Sequence, residues 1–264
     1  MTASPTLGQQ VHRPRPMTAW RLEWLRLIRT PRAISLAAVY LLFGLLGPVI
    51  AKYMADIVSH VESGITITVP PPTPKDGVAQ YISQVSQTGL VVVVVVAAGT
   101  LAFDGRRGVA TFLRTRVPSM AALVVPRYVV TSLAAVGAYA LGTLAAWYET
   151  ALLIGPLPVG PMLAGLLCQA GYLLFAVAVV AVAASVARRT VGTIGIALAV
   201  LLLLPIAGIA SAVHDWLPST LVTAPVELLG TASLRDYLPA LAVAAMATPT
   251  LLALAVLRLR RREV

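Results

Sequence analysis

Leu90-Val91-Val92-Val93-Val94-Val95-Val96-Ala97-Ala98-Gly99-Thr100-Leu101-Ala102-Phe103-Asp104-Gly105-Arg106-Arg107 passes within a few residues from an unbroken apolar run to a pair of arginines. A helix of that composition has no polar side to offer water, and its abrupt basic end marks where the chain leaves an apolar solvent. This run extends over about 79–103, and five more like it lie at about 33–53, 121–146, 162–187, 191–213 and 239–257. Each has about the ~20 residues an α-helix needs to cross the hydrocarbon, and none alternates apolar and polar residues as a membrane barrel strand does. The expected fold is an all-α integral membrane protein, a six-transmembrane-helix bundle.

The charges orient it. Basic residues cluster in the amino-terminal segment (Arg13, Arg15, Arg21, Arg26, Arg29, Arg32), the second link (Arg106, Arg107, Arg114, Arg116, Arg127), the fourth link (Arg188, Arg189) and the tail (Arg258, Arg260, Arg261, Arg262). These are seventeen of the twenty Lys and Arg; Lys52, Lys75 and Arg235 fall in the alternate links, together with Asp56, Glu62, Asp76, Glu149, Asp215, Glu227 and Asp236. Since Lys and Arg near helix ends are retained on the cytoplasmic side, both termini are expected inside.

Composition leads to the same solvent. With 58% hydrophobic and 11% charged residues and a mean hydropathy of +0.87, a 264-residue chain has too little polar material to cover a soluble globule. The net charge of +10 is then a product of topology and an affinity for anionic lipid headgroups, and no nucleic acid is expected as partner. One cysteine, Cys168, inside an apolar run, excludes a disulfide within the chain and reads as a packed, inert thiol. His12, His60 and His214 share no metal-ligand spacing, so no metal site is expected. A cleaved leader is not expected either, because about thirty residues with a helix of their own precede the first run.

In that preceding helix Trp20, Trp24, Leu27 and Ile28 recur at i, i+4, i+7 and i+8, on the face opposite Arg26 and Arg29. The pattern predicts an amphipathic interfacial helix over 17–31 that lies in the membrane surface, ended by Pro31. Residues 1–16 are expected to be a disordered cytoplasmic terminus, 32–257 the six-span domain, and 258–264 a basic cytoplasmic tail. Among the outer links, 54–78 contains a short helix and then Val69-Pro70-Pro71-Pro72-Thr73-Pro74, a polyproline spacer. Gly155-Pro156-Leu157-Pro158 is a tight turn, and 212–238, broken by Pro218 and Pro225, reads as helical turns capping the bundle.

The second inner link carries the most specific chemistry. In 104–118, Val109, Phe112 and Leu113 stand at i, i+3 and i+4, so a short helix ended by Pro118 presents a small apolar knob among Arg106, Arg107, Arg114 and Arg116. An apolar knob in the cytosol calls for a partner. The plainer alternative is a solvated basic loop.

An acidic residue, basic residues, Gly-x-x-Thr followed by an apolar residue and Leu, then Pro-Ser and a basic residue opening the next span resembles the stretch after the second span of ABC-2 type transporter permeases. Here the pattern is Asp104, Arg106, Arg107, Gly108, Thr111, Phe112, Leu113, Pro118, Ser119 and Arg127. With the interfacial helix, the six spans and the outer turns before the last span, the resemblance covers about 17–262. The chain departs from the family pattern in placing Thr111 three residues after Gly108, and in having Phe112 where an aliphatic residue is more usual. The resemblance implies that 104–118 is a coupling segment seated in a groove of a separate ABC ATP-binding subunit. Asp104, Arg106, Arg107, Gly108, Val109, Thr111, Phe112, Leu113, Arg114, Arg116 and Pro118 would then form the contact. It further implies an elbow helix, a second permease subunit as homo- or heterodimer, and a bacterial cell membrane location.

Absences fit that role. No Gly-x-x-x-x-Gly-Lys-Ser/Thr run occurs, and the two lysines, Lys52 and Lys75, are on the outer side, so ATP and Mg are expected in the partner and no cofactor in this chain. The span cores carry no ionisable group, Asp104, Glu149 and Arg127 all standing at ends, which disfavours proton coupling, and no set of catalytic residues is found; the chain itself is not expected to be an enzyme. Gln80, Ser83, Gln84 and Gln87, at i, i+3, i+4 and i+7, form a polar stripe at the outer end of the second span, a candidate lining for a substrate path. The plainer and preferred reading of the stripe is hydrogen bonding between helices, or a helix end above the bilayer. Ala134, Ala138, Gly142 and Ala146 at steps of four form a groove for close helix packing. The sequence therefore points to the transmembrane permease of an ATP-driven ABC-2 type exporter, with a polytopic scaffold or lipid-modifying membrane enzyme lacking an ATPase partner as the alternative.

Overall fold

The computed structural model describes residues 19–61, 71–101, 120–187, 189–209 and 211–261. Among them all regular structure is helical, and six helical stretches are long and apolar enough to cross a membrane: Pro31–Met54, Pro74–Leu101, Met120–Leu153, Val159–Val186, Thr190–Ala207 and Leu234–Arg261. The elements are α1 (Ala19–Arg29), α2 (Pro31–Val61), α3 (Pro74–Gln84), α4 (Leu90–Leu101), α5 (Met120–Leu153), α6 (Val159–Val186), α7 (Thr190–Ala207), α8 (Ser211–His214), α9 (Ala224–Glu227) and α10 (Leu238–Arg261). A π-helical turn, Val85–Gly89, joins α3 to α4 without a break, and 3-10 turns at Pro218–Val222 and Leu234–Tyr237 flank α9.

Several boundaries differ from the hydropathy runs. Helix α2 continues to Val61, into the stretch read as a link, because nothing in that stretch breaks a helix. The fifth span ends at Ala207 rather than at 213: Pro205 lacks an amide donor and Gly208 follows as the cap. Helix α10 runs on to Arg261, so most of the basic tail is helical, with Arg258, Arg260 and Arg261 in a last turn where cations suit the helix dipole. Two entries into the bundle are capped as the residue types suggest. The amide and hydroxyl of Thr73 both donate to the Asp76 carboxylate (2.8 and 2.6 Å), ahead of Pro74 in the first turn. At the other, the Ser233 amide donates to Asp236 (2.8 Å).

Helix α6 is the hub. About 67% of its span is buried within the chain, against 17% for α7, and α10, α5, α4, α7 and the turns around α9 all pack on it. Hydrophobic gain cannot drive packing between helices in lipid, so close approach and dispersion must hold them. Accordingly the tightest contact, α2 on α5, is made at Gly44 and Gly142. A Cβ on Gly142 would stand 2.5 Å from the Tyr40 carbonyl oxygen and 2.6 Å from the Tyr81 hydroxyl, and one on Gly44 would collide with the Gly142 carbonyl. The small-residue groove of α5 is thus a packing seam within the chain, with Ala138, Gly142 and Ala146 buried. Beside it Tyr40 meets Tyr139 edge-on (centroids 6.0 Å apart, planes at 86°), while Tyr81 stacks on Tyr139 (6.1 Å, 28°) and donates to its carbonyl oxygen (3.2 Å). Cys168 is buried in the same core.

The π turn has a packing cause. Buried positions along α3 and α4 recur every four residues: Gly77, Tyr81, Val85, Gly89, Val93, Ala97 and Leu101. On a 3.6-residue helix a step of four rotates the buried line by about 40° each time, and the wider π turn takes up part of that drift. It also brings Gly89 against the Tyr40 ring, where a Cβ would lie 3.0 Å from Cζ.

Candidate functional site

Two regions carry polar chemistry in an otherwise apolar bundle. The first is a shallow crevice where α1, α2, α4 and α5 meet, lined by Glu23, Arg26, Thr30, Arg32, Thr100, Arg127, Val130 and Thr131, with a cavity of about 10 Å3, room for about one water, open on one side. Helix α1 places Glu23 and Arg26 one turn apart, and Pro31 then turns the chain so that Arg32 enters from the first turn of α2. Arg127 Nε donates to Glu23 Oε1 at 2.9 Å, with only 8% and 11% of the two side chains exposed; Arg26 Nη1 approaches the same oxygen at 3.8 Å from the exposed side. The ion pair joins helices 104 residues apart in sequence and fastens α1 to the bundle. The Arg32 guanidinium lies along α4 over Gly99, where a Cβ would stand 3.5 Å from its Cζ. Thr100 donates to the Ala97 carbonyl (2.9 Å) and is linked to Thr131 (3.0 Å), which ties α4 to α5 beneath the arginines.

The second region is at the opposite end. There the turns around α9 cap the bundle: Pro225 sits on Gly165 of α6, whose Cβ position is 2.6 Å from Pro225 Cα, and the Tyr237 hydroxyl donates to Glu227 Oε2 at 2.5 Å. Lys75, at the start of α3, reaches this cap beside Gly230. Below it lie Gln80 and Gln84, half-buried, and Ser83, exposed, on α3, followed by Gln87, exposed, in the π turn. No other element of the described chain covers Ser83 or Gln87, so the stripe faces outward.

Of the other residues singled out in the sequence, Trp20 and Trp24 are about half exposed on α1, 49% and 48%. Leu27 and Ile28 lie in the same helix. The coupling segment falls outside the described residues; that covers Asp104, Arg106, Arg107, Gly108, Val109, Thr111, Phe112, Leu113, Arg114, Arg116 and Pro118. Arg127, read from the sequence as part of a basic link, is instead a buried member of α5. Arg32 entered only as one of the orienting amino-terminal charges, and Glu23, Thr100 and Thr131 were not singled out at all. One signal was available for Glu23, which is the lone carboxylate before Asp56 in a segment full of arginine.

No protein-family profile matches the chain, and no solved structure matches it. It is similar to the uncharacterized transmembrane protein YxlG of Bacillus subtilis (strain 168), with 24% identity over 140 residues. The match covers 52% of this chain and 54% of that relative, so the chain spans about half the length of the curated protein it matches. With the six apolar helices, this makes the chain a polytopic transmembrane protein.

Proposed function

We propose that the chain is the transmembrane permease subunit of an ATP-driven ABC-2 type exporter in a bacterial cell membrane. It works as a dimer coupled to a separate ATP-binding subunit, which supplies ATP and Mg, and both termini are cytoplasmic. The observation that carries this reading is the placement of α1. It is fastened by Glu23 and Arg127 across the bases of α2 and α5, at the end of the bundle where α4 stops at Leu101 and α5 begins at Met120, while the turns around α9 cap the other end. An elbow helix in the membrane surface, with Trp20 and Trp24 at headgroup level, and a coupling segment at 104–118 then share one side, where an ATPase would engage both. The outward-facing Gln80, Ser83, Gln84 and Gln87 stripe supports a second subunit or a substrate path against α3, since lipid satisfies no amide.

The test is whether an ABC ATPase co-purifies with this chain from its own cells. Phe112→Asp or Leu113→Asp puts an unpaired charge into the partner's groove and is expected to cost on the order of several kcal/mol of association, while membrane insertion is retained. Neutralising Arg114 changes mainly encounter rate and salt sensitivity, as rim charges do. Full complex formation and transport by both aspartate variants would remove the coupling role and leave a scaffold or lipid-modifying enzyme as the better reading.

A further inference from the structure

We infer that the crevice between α1, α2, α4 and α5 binds the phosphate of an anionic phospholipid headgroup through Arg32 and Arg26. The inference rests on the bundle and the crevice alone and stands independently of the transporter reading. Among the described residues three guanidinium groups, of Arg26, Arg32 and Arg127, line it together with one carboxylate, that of Glu23. Arg127 engages that carboxylate directly and Arg26 at longer range, while Arg32 has no carboxylate within ion-pair distance among the described residues. Among the described residues the lining thus carries more positive than negative charge in a partly desolvated place, where like charges repel more strongly than in water. An anion relieves that repulsion, and a guanidinium fork matches phosphate geometry with paired, charge-assisted hydrogen bonds.

Position selects the source of the phosphate. Arg32 opens the first span, Thr100 closes the second, and the half-exposed Trp20 and Trp24 stand on α1 beside them, so the crevice mouth lies at the level where chains enter and leave the hydrocarbon. Tryptophan favours that layer, and basic clefts between spans suit anionic headgroups in it. Gly99 contributes by absence: any side chain much larger than a methyl there would push the Arg32 guanidinium off α4.

The test uses the full chain in detergent, exposed to equal amounts of phosphatidylglycerol and phosphatidylcholine with identical acyl chains, with retained lipids counted by native mass spectrometry. Wild type is expected to retain phosphatidylglycerol selectively. Arg32→Gln and Arg26→Gln should each lower that selectivity about fivefold, the worth of one basic residue at a membrane surface. Arg32→Lys should lose less, and this keeps the test meaningful if the glutamine variant folds poorly. Arg235→Gln, the same charge change at the opposite end, should leave selectivity unaltered. In a second arm, inorganic phosphate is added: phosphatidylglycerol that stays bound identifies the headgroup as the ligand. Displacement of the lipid, with the same arginine dependence, shows that the site takes free phosphate and overturns the lipid assignment. Selectivity unchanged in Arg32→Gln, or lowered as much by Arg235→Gln, overturns the site itself.

Discussion

Replacing Arg127 with methionine should detach α1 from the bundle. The Glu23 carboxylate is 2.9 Å from Arg127 Nε, and the two side chains keep only 11% and 8% of their exposure. Removing one partner of a buried ion pair costs about 3–5 kcal/mol, because the other charge stays desolvated. Arg26 remains 3.8 Å away but is 44% exposed, and such a contact returns at most about 1 kcal/mol. The expected net loss for Arg127→Met is therefore about 2–4 kcal/mol. Glu23→Gln removes the same contact from the α1 side and should also destabilise, while the double variant should lose much less than the sum. The coupling energy is expected at about 1.5–3 kcal/mol, the range of a charge-assisted hydrogen bond. Unfolding in mixed micelles followed by circular dichroism gives the cycle, and tryptic cleavage after Arg26 and Arg29 reports whether α1 alone comes loose. Single variants within about 0.5 kcal/mol of wild type and additive in the double variant would refute the anchoring role.

Gly142→Val forces a Cβ against the Tyr40 carbonyl oxygen and the Tyr81 hydroxyl, both under 3 Å, and should separate α2 from α5. A loss of about 1–3 kcal/mol or more in the same unfolding assay is expected, whereas Gly137→Ala, with open space around it, should be nearly neutral. Topology is checked in a Cys168→Ser background. Cysteines at Thr73 and Ser233 should react with impermeant thiol reagents on intact cells, one at Thr115 only after lysis, and labelling of position 115 from outside would invert or break the six-span arrangement. Tyr237→Phe removes the hydroxyl held by Glu227 and should loosen the cap around α9, read as faster hydrogen exchange over 218–237 with the spans unaffected.

Much of the bundle was legible because the bilayer is a demanding solvent. Span number and helical type follow from hydropathy and length, which are local properties. The Gly155-Pro156 turn and the Ala138, Gly142, Ala146 seam were readable for the same reason: each depends on residue types a few positions apart. Boundaries were read less well where hydropathy and helix termination diverge, as at Ala207, where Pro205 and Gly208 end the helix inside an apolar run. The π turn at Val85–Gly89 escaped because its cause is a buried line kept in register with Tyr40 on another helix.

By itself, then, the sequence determined the solvent, the number of crossings, the charge asymmetry between the links and the turn chemistry, all of which act within a few residues. Tertiary structure alone decided which polar groups meet. Arg127 looks like one more basic residue near a helix end until α5 rotates it inward toward Glu23, 104 residues away. The Gln80 stripe looks like any amphipathic face until the packing of α3 leaves Ser83 and Gln87 uncovered. The physical reason is that helix rotation and pairing in lipid are set by close steric fit at contacts such as Gly44 with Gly142. Hydropathy is blind to such fit, since every apolar side chain is equally at home facing lipid or a neighbouring helix.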